Sequence, residues 1–236
     1  MFNDVQRVFR HSRQLAVLAS LSLATILCIG LLVLRIAHSG HSTYSWLLWN
    51  LFLAWLPAGF ALIAYNIRRH SRLRWLLVCG CALVWLAFFP NAPYLVTDII
   101  HLHRQSDVPF WFDLILLVAF AWTGCFLGLV SLYLMQETVR WAAGSVVSWL
   151  FAFASLGLSG FGIYLGRFLR WNSWDVIFAP TQILGIFADG VRHPVAHFQT
   201  IVFSLIFGVF LASVYLMLVS LMHLRQERQP TVTGSV

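Results

Sequence analysis

The sequence is dominated by five long stretches that contain no Asp, Glu, Lys or Arg. About 20 apolar residues are enough for a helix to cross the hydrocarbon core of a bilayer. Only 10% of the residues are charged, against about 25% in an average soluble domain. A shorter apolar stretch, 75–89, is a sixth candidate. The sequence therefore predicts an all-α, polytopic membrane helix bundle with about six transmembrane helices, and the long stretches are 15–34, 45–65, 114–136, 141–166 and 198–224.

The arginines predict the direction in which these helices run. All 15 basic residues are arginine, and short cytoplasmic loops are enriched in basic residues. If the N-terminus is cytoplasmic, the inner loops hold ten of them and the outer loops hold only Arg35, Arg104, Arg167, Arg170 and Arg192. We therefore expect a membrane protein with both termini in the cytoplasm. Its parts are a basic N-terminus (1–14), a single six-span domain (15–224) and a short disordered tail (225–236).

The net charge of +7 is accounted for by this topology and by contact with lipid headgroups. Membrane lipids are therefore the expected partners, and no nucleic acid is needed to explain the charge. A homo-oligomer or a membrane protein partner remains open, because the sequence does not indicate an oligomeric state. No cofactor can be named from the sequence.

The stretch FPNAPYLVTDIIHLH, residues 89–103, interrupts the apolar pattern. A helix over 75–89 is only about 22 Å long, so the Pro90–Pro93 break should lie close to the outer interface. We expect Asn91 to cap a new helix whose first turn contains Pro93. If that helix continues to His103, then Tyr94, Asp98 and His101 share one face. The segment would then lie in the interface or dip back into the protein.

A second polar stretch, GRFLRWNSWD, covers residues 166–175. Tryptophans beside arginines are typical of an aromatic belt with anchoring side chains. Asn172 and Asp175 have no anchoring role, so their position near Arg167 and Arg170 also suggests a hydrogen-bonded cluster. The run after it, 176–187, is apolar but broken by Pro and Gly, which predicts another interfacial or re-entrant segment on the outer side.

Two histidines precede the last apolar stretch. His193 and His197 would be four residues apart on one helix if Pro194 opens it, and that spacing can form a metal pair. Two histidines near an interface can equally be plain polar boundary residues, and no metal site is predicted.

The segments FPNAPYLVTDIIHL and GFGIYLGRFLRWNSWD resemble the signature stretches of a bacterial multi-pass membrane family, Domain of Unknown Function 1361. The resemblance extends from about Leu47 to about Leu221. It implies a membrane fold shared by bacterial homologues, and it implies no biochemical activity.

Three functions are compatible with these residues. In the first, the protein processes a lipid or another anionic substrate at the outer membrane interface, with Asp98 and His101 as an acid–base or metal-ligand pair. Guanidinium groups suit anionic partners. The substrate-binding residues would be Arg167 and Arg170, positioned with Asn91, Tyr94, Asn172 and Asp175.

The second function is structural or partner-binding, with the same residues forming a buried and satisfied polar network. The third is transport of a neutral or lipid substrate, since a broken helix is a feature of many transporters. The sequence has no HExxH, GxSxG or phosphate-loop motif. Whether the protein is an enzyme therefore stays open at this stage.

Overall fold

The computed structural model describes residues 2–67, 72–103, 108–171, 180–193 and 195–227, and within these ranges it contains helices and no strand. The fold is an all-α membrane helix bundle, as the sequence predicted. Its helices are α1 (Phe2–Ser39), α2 (Trp46–Ile67), α3 (Arg72–Phe88), α4 (Asn91–Tyr94), a 3-10 helix (Leu95–His101), α5 (Phe110–Phe168), α6 (Pro180–Arg192) and α7 (Phe198–Glu227).

Five stretches of the described chain are long and apolar enough to cross a membrane. The longest, α5, has 59 residues, far more than one crossing requires. Its backbone breaks at Gly144, where φ is 85°, a left-handed conformation that glycine adopts without steric cost. α5 therefore consists of two arms, 110–143 and 145–168. The bundle thus supplies six apolar helical segments, the number expected from the sequence.

α5 lies at the centre of the bundle and packs against α1, α2, α4 and α7. One group of buried side chains surrounds Trp85 and Tyr215, and a second surrounds Leu47 and Phe120. The indole of Trp85 donates a hydrogen bond of 3.1 Å to the Ser131 hydroxyl, so this aromatic is buried with its polar atom satisfied.

The predicted break after α3 is confirmed. The chain turns at Phe89 and Pro90 and continues as α4 and then as the 3-10 helix. The prediction that Asn91 caps the new helix is wrong, because Pro90 occupies the N-cap position and Asn91 is the first helical residue. α4 lies close to α5, since a Cβ atom added to Gly124 would be 2.6 Å from the carbonyl oxygen of Ala92.

The last long helix begins where the predicted apolar stretch 198–224 begins. α7 starts at Phe198, so His193 and His197 do not share one regular helix, as an opening at Pro194 would have required. Pro194 itself lies outside the described residues.

Candidate functional site: a buried polar cluster beside the α3 break

The guanidinium group of Arg167, in the last turn of α5, is the centre of a polar cluster. Its Nε and Nη2 donate hydrogen bonds of 3.1 and 2.7 Å to the Thr97 hydroxyl. Nη2 also forms an ion pair with the Asp98 carboxylate, and Nη1 lies 2.8 Å from Nε2 of His101. The Tyr94 ring stacks on the guanidinium carbon at 4.5 Å. One side chain therefore joins the end of α5 to the segment that follows the α3 break.

The Asp98 carboxylate is enclosed between two elements. The residue is only 1% exposed, and while Oδ1 faces Arg167, Oδ2 accepts a 2.9 Å hydrogen bond from the amide of Asn50 in α2. A buried carboxylate needs such partners, because burial of an unpaired charge is very costly. Sequence reasoning missed Asn50. The available signal was a strong amide donor inside the apolar stretch 45–65.

The helix type explains the geometry of the cluster. Asp98 and His101 belong to the 3-10 helix, which has about three residues per turn, so side chains three positions apart lie on the same side. Tyr94, at the end of α4, also reaches Arg167. The three residues predicted to share a face thus all contact one guanidinium, although the helix is not a regular α-helix over its whole length.

His101 is the accessible member of the cluster, with an exposed side chain. A guanidinium can only donate hydrogen bonds, so Nε2 of His101 is the acceptor and the proton of the neutral ring is on Nδ1. The ring edge packs against Trp46, with 5.2 Å between ring centroids. The hydroxyl of Tyr44 donates to the backbone carbonyl of His101 at 3.2 Å.

A second buried ion pair, formed by Arg35 and Asp113, lies beside Tyr44. Nε of Arg35, in α1, donates to Oδ1 of Asp113 in α5 at 2.8 Å, and Nη2 donates to Oδ2 at 3.3 Å. Their side chains are 0% and 1% exposed. The Tyr44 ring stacks on the Arg35 guanidinium at 4.6 Å. Burial, together with the Asp113 carboxylate, raises the pKa of the Tyr44 hydroxyl, which keeps it a donor to His101. The sequence analysis counted Arg35 among the outer loops but gave no sign that it pairs with Asp113.

Of the other four predicted site residues, the structure describes Asn91 and Arg170. Asn91 is half-buried at the start of α4. Arg170 has an exposed side chain and a left-handed backbone, with φ of 57°. Asn172 and Asp175 lie outside the described residues. The roles predicted for all these residues stay predictions.

The two histidines before α7 both contact the carboxylate of Asp189. The sequence analysis did not connect Asp189 with them. Asp189 Oδ1 lies 2.9 Å from Nδ1 of His193, and Oδ2 lies 2.7 Å from Nε2 of His197. These hydrogen bonds lower the pKa of Asp189. In the described part of the chain, no group of three or more His, Cys, Asp and Glu residues is arranged to hold a metal ion.

The cluster around Arg167 limits the chemistry of its members. Four of the five N–H groups of a guanidinium are already engaged with Thr97, Asp98 and His101. Both oxygens of Asp98 are also occupied. Asp98 is therefore suited to hold Arg167 in place, whereas the imidazole of His101 can contact a molecule from outside.

These features define an all-α membrane protein with two buried ion pairs joined through Tyr44 and His101 at one end of its bundle. The family model described as "Protein of unknown function (DUF1361)" matches residues 49–229, and the chain belongs to this family. The matched region contains Asn50, Asp98 and Arg167, whereas Arg35 and Tyr44 precede it. No curated protein and no solved structure matches the chain.

Proposed function

We propose that the protein crosses the bacterial inner membrane six times, with both termini in the cytoplasm and the Arg167 cluster at the outer face. The distribution of the arginines supports this orientation. The two buried ion pairs support the six-span order of the helices, because they join Arg35 to Asp113 and Asp98 to Arg167. All four residues belong to the side that the arginine count assigns to the outside.

We propose further that the cluster binds the headgroup of a lipid or another anionic substrate and processes it. The observation that carries this proposal is the set of contacts of Arg167, which unites the two polar stretches of the sequence beneath an exposed His101. His101 would donate a hydrogen bond to the substrate from Nδ1–H, and it would accept a proton at Nε2 once the substrate displaces Arg167 from that nitrogen. Asp98 and Thr97 would be positioning residues.

Arg170 would supply the charge for the anion. Its side chain is exposed, so its guanidinium is open to a ligand. Its backbone is in the left-handed region, which costs a non-glycine residue about 1 kcal/mol or more, and such strain clusters at functional sites. Charge-assisted hydrogen bonds from an arginine are well suited to phosphate and carboxylate groups.

Lipid retention tests the proposal. The full-length protein is reconstituted in nanodiscs of mixed phosphatidylglycerol and phosphatidylcholine, released into mild detergent, and examined by native mass spectrometry. We expect several-fold preferential retention of the anionic lipid, and His101→Ala and Arg170→Ala should remove the preference. Arg192→Ala is the matched control, because it removes an exposed arginine outside the cluster. An unchanged preference in both cluster variants would refute the binding site.

Processing is tested with the same variants in nanodiscs made from a bacterial lipid extract. After incubation, the lipids are extracted and their headgroups are identified by mass spectrometry. A headgroup change catalysed by the wild type and lost in His101→Ala, with normal folding, is the expected result. If no lipid in a bacterial extract is altered, the catalytic half of the proposal fails while binding can stand.

A structural role is the second candidate, and the saturation of Arg167 favours it. Four N–H groups of the guanidinium are engaged, and Asp98 is only 1% exposed. A buried contact with its polar groups paired in this way would hold α2, α5 and the 3-10 helix together. In that case Asp98→Ala should reduce the yield of folded protein, while His101→Ala and Arg170→Ala leave both folding and lipid retention unchanged.

A further inference from the structure

The sequence of α6 separates apolar from polar residues around the helix. At 100° per residue, Ile183, Leu184, Phe187 and Val191 fall on one face. The opposite face carries Thr181, Gln182, Asp189 and Arg192, and these four side chains are exposed. Such a helix needs an apolar surface on one side and water on the other.

Among the described residues, no other helix makes an extensive contact with α6. α6 has 13 residues and is therefore about 20 Å long, too short to cross a hydrocarbon core of about 30 Å. A transmembrane placement therefore does not account for its apolar face.

Large apolar side chains are exposed at the end of α5 and directly after α6. Phe168 and Leu169, at the end of α5, are 44% and 43% exposed, and Val195 and Phe198, before and at the start of α7, are 89% and 67% exposed. Exposed apolar side chains of this size in a membrane helix bundle face lipid. The end of α6 therefore lies beside the lipid-facing start of α7.

We infer that α6 lies in the plane of the bilayer surface and binds phospholipid through its apolar face. An amphipathic helix of this kind sinks about 5–10 Å into the boundary between headgroups and acyl chains. The inference decides between the interfacial and re-entrant alternatives that the sequence left open. It requires only that the protein is in a membrane and does not depend on substrate binding at His101.

The charged residues of α6 indicate which lipid headgroups the helix prefers. Its polar face carries one acidic and one basic residue, Asp189 and Arg192, so the face has no net charge for anionic lipids. The Asp189 carboxylate is also engaged by His193 and His197, which ties the end of α6 to the residues that lead into α7. Binding is therefore apolar and independent of the headgroup charge.

Spin-label accessibility along α6 tests the inference. Single cysteines are introduced at positions 181–187 in a full-length background without the four native cysteines, labelled, and reconstituted in phosphatidylcholine nanodiscs. We expect accessibility to oxygen, relative to a water-soluble nickel complex, to be several-fold higher at Ile183 and Phe187 than at Gln182. Val209, which is 68% exposed on α7, is the lipid-facing reference, and Ser42 in an exposed turn is the aqueous reference.

Three results would overturn the inference. Equal exposure of both faces to the nickel complex would place α6 in water. Protection of Ile183 and Phe187 from both reagents would mean that protein, from this chain or a second copy, covers the apolar face. A several-fold change in the ratio when phosphatidylglycerol replaces phosphatidylcholine would contradict binding that is independent of charge. The reference positions report whether the cysteine-free protein is folded.

Discussion

The carboxylate of Asp98 is paired with the guanidinium of Arg167, which lies 69 positions later in the chain, and both groups are largely withdrawn from solvent. The pair connects the segment after the α3 break to the end of α5. Each charge depends on the other, because a buried charge without its partner keeps the full cost of lost solvation.

Removing one partner of this pair should therefore destabilise the protein strongly. We expect Arg167→Ala to lower the free energy of unfolding by about 3–5 kcal/mol, the range typical of breaking a buried pair. Unfolding in mild detergent with increasing dodecyl sulfate, followed by circular dichroism, measures the change. Arg170→Ala is the control, since exposed substitutions usually stay within about 0.5 kcal/mol. Equal stability of the two variants would show that the pair does not hold the fold.

The pair of Arg35 and Asp113 should behave as one unit. Arg35→Ala and Asp113→Ala should each be destabilising, and the double variant should be less destabilised than the sum of the two. We expect a coupling energy of about 0.5–3 kcal/mol, obtained from the same unfolding curves. Additive effects would contradict the pairing. Tyr44→Phe keeps the ring over Arg35 and removes only the hydroxyl, so it should cost about 0.5–1.5 kcal/mol.

The close approach of α4 to α5 should make Gly124 intolerant of a side chain. A Cβ atom there would meet the backbone carbonyl of Ala92 at 2.6 Å, and backbone cannot move aside as the end of a flexible side chain can. We expect Gly124→Ala to destabilise by about 1–3 kcal/mol, as overpacking does. Gly59→Ala is the matched control, because nothing lies within 4 Å of the added atom. A stable Gly124→Ala variant would show that the segments are farther apart.

The hydrogen bonds from His193 and His197 should be visible in the titration of Asp189. They hold its pKa below the ordinary value of 3.8. Because the folded-state pKa is the lower one, the contribution of these contacts is present above the unfolded-state pKa and disappears as the pH falls through the folded value. Carboxyl ¹³C shifts of labelled aspartate should show a midpoint that rises when both histidines are replaced by alanine. Asp189→Asn assigns the signal, and an unmoved midpoint would contradict the contacts.

The helical segments were predictable because a helix that crosses a bilayer needs about 20 apolar residues in a row. The apolar stretches around Leu114–Gln136 and Trp141–Gly166 correspond to the two arms of α5, and the break at Pro90 follows from proline chemistry. The start of α7 at Phe198 coincides with the start of the last apolar stretch, whereas proline chemistry alone also allowed an earlier opening at Pro194.

The partners within the polar cluster were less predictable. Helical periodicity predicted that Asp98 and His101 share one face, but it contains no information on contacts between helices. Asn50, Tyr44 and Arg35 join the site through tertiary packing, and each looks in sequence like an ordinary interface residue. The pairing of Asp98 with Arg167 rather than Arg170 depends on where α5 ends, which pattern reasoning fixes only within a few residues.

The separation of Asp98 and Arg167 in the chain also orders events during biosynthesis. Membrane proteins are made from the N-terminus, so Asp113 emerges early and can join Arg35 while the rest of α5 is still in the ribosome. Asp98 can pair with Arg167 only after the second arm of α5 has been translated and has folded back at Gly144. Until then its carboxylate has only Asn50 as a partner, so a nascent chain that stalls before Arg167 should be a preferred substrate for membrane quality-control proteases.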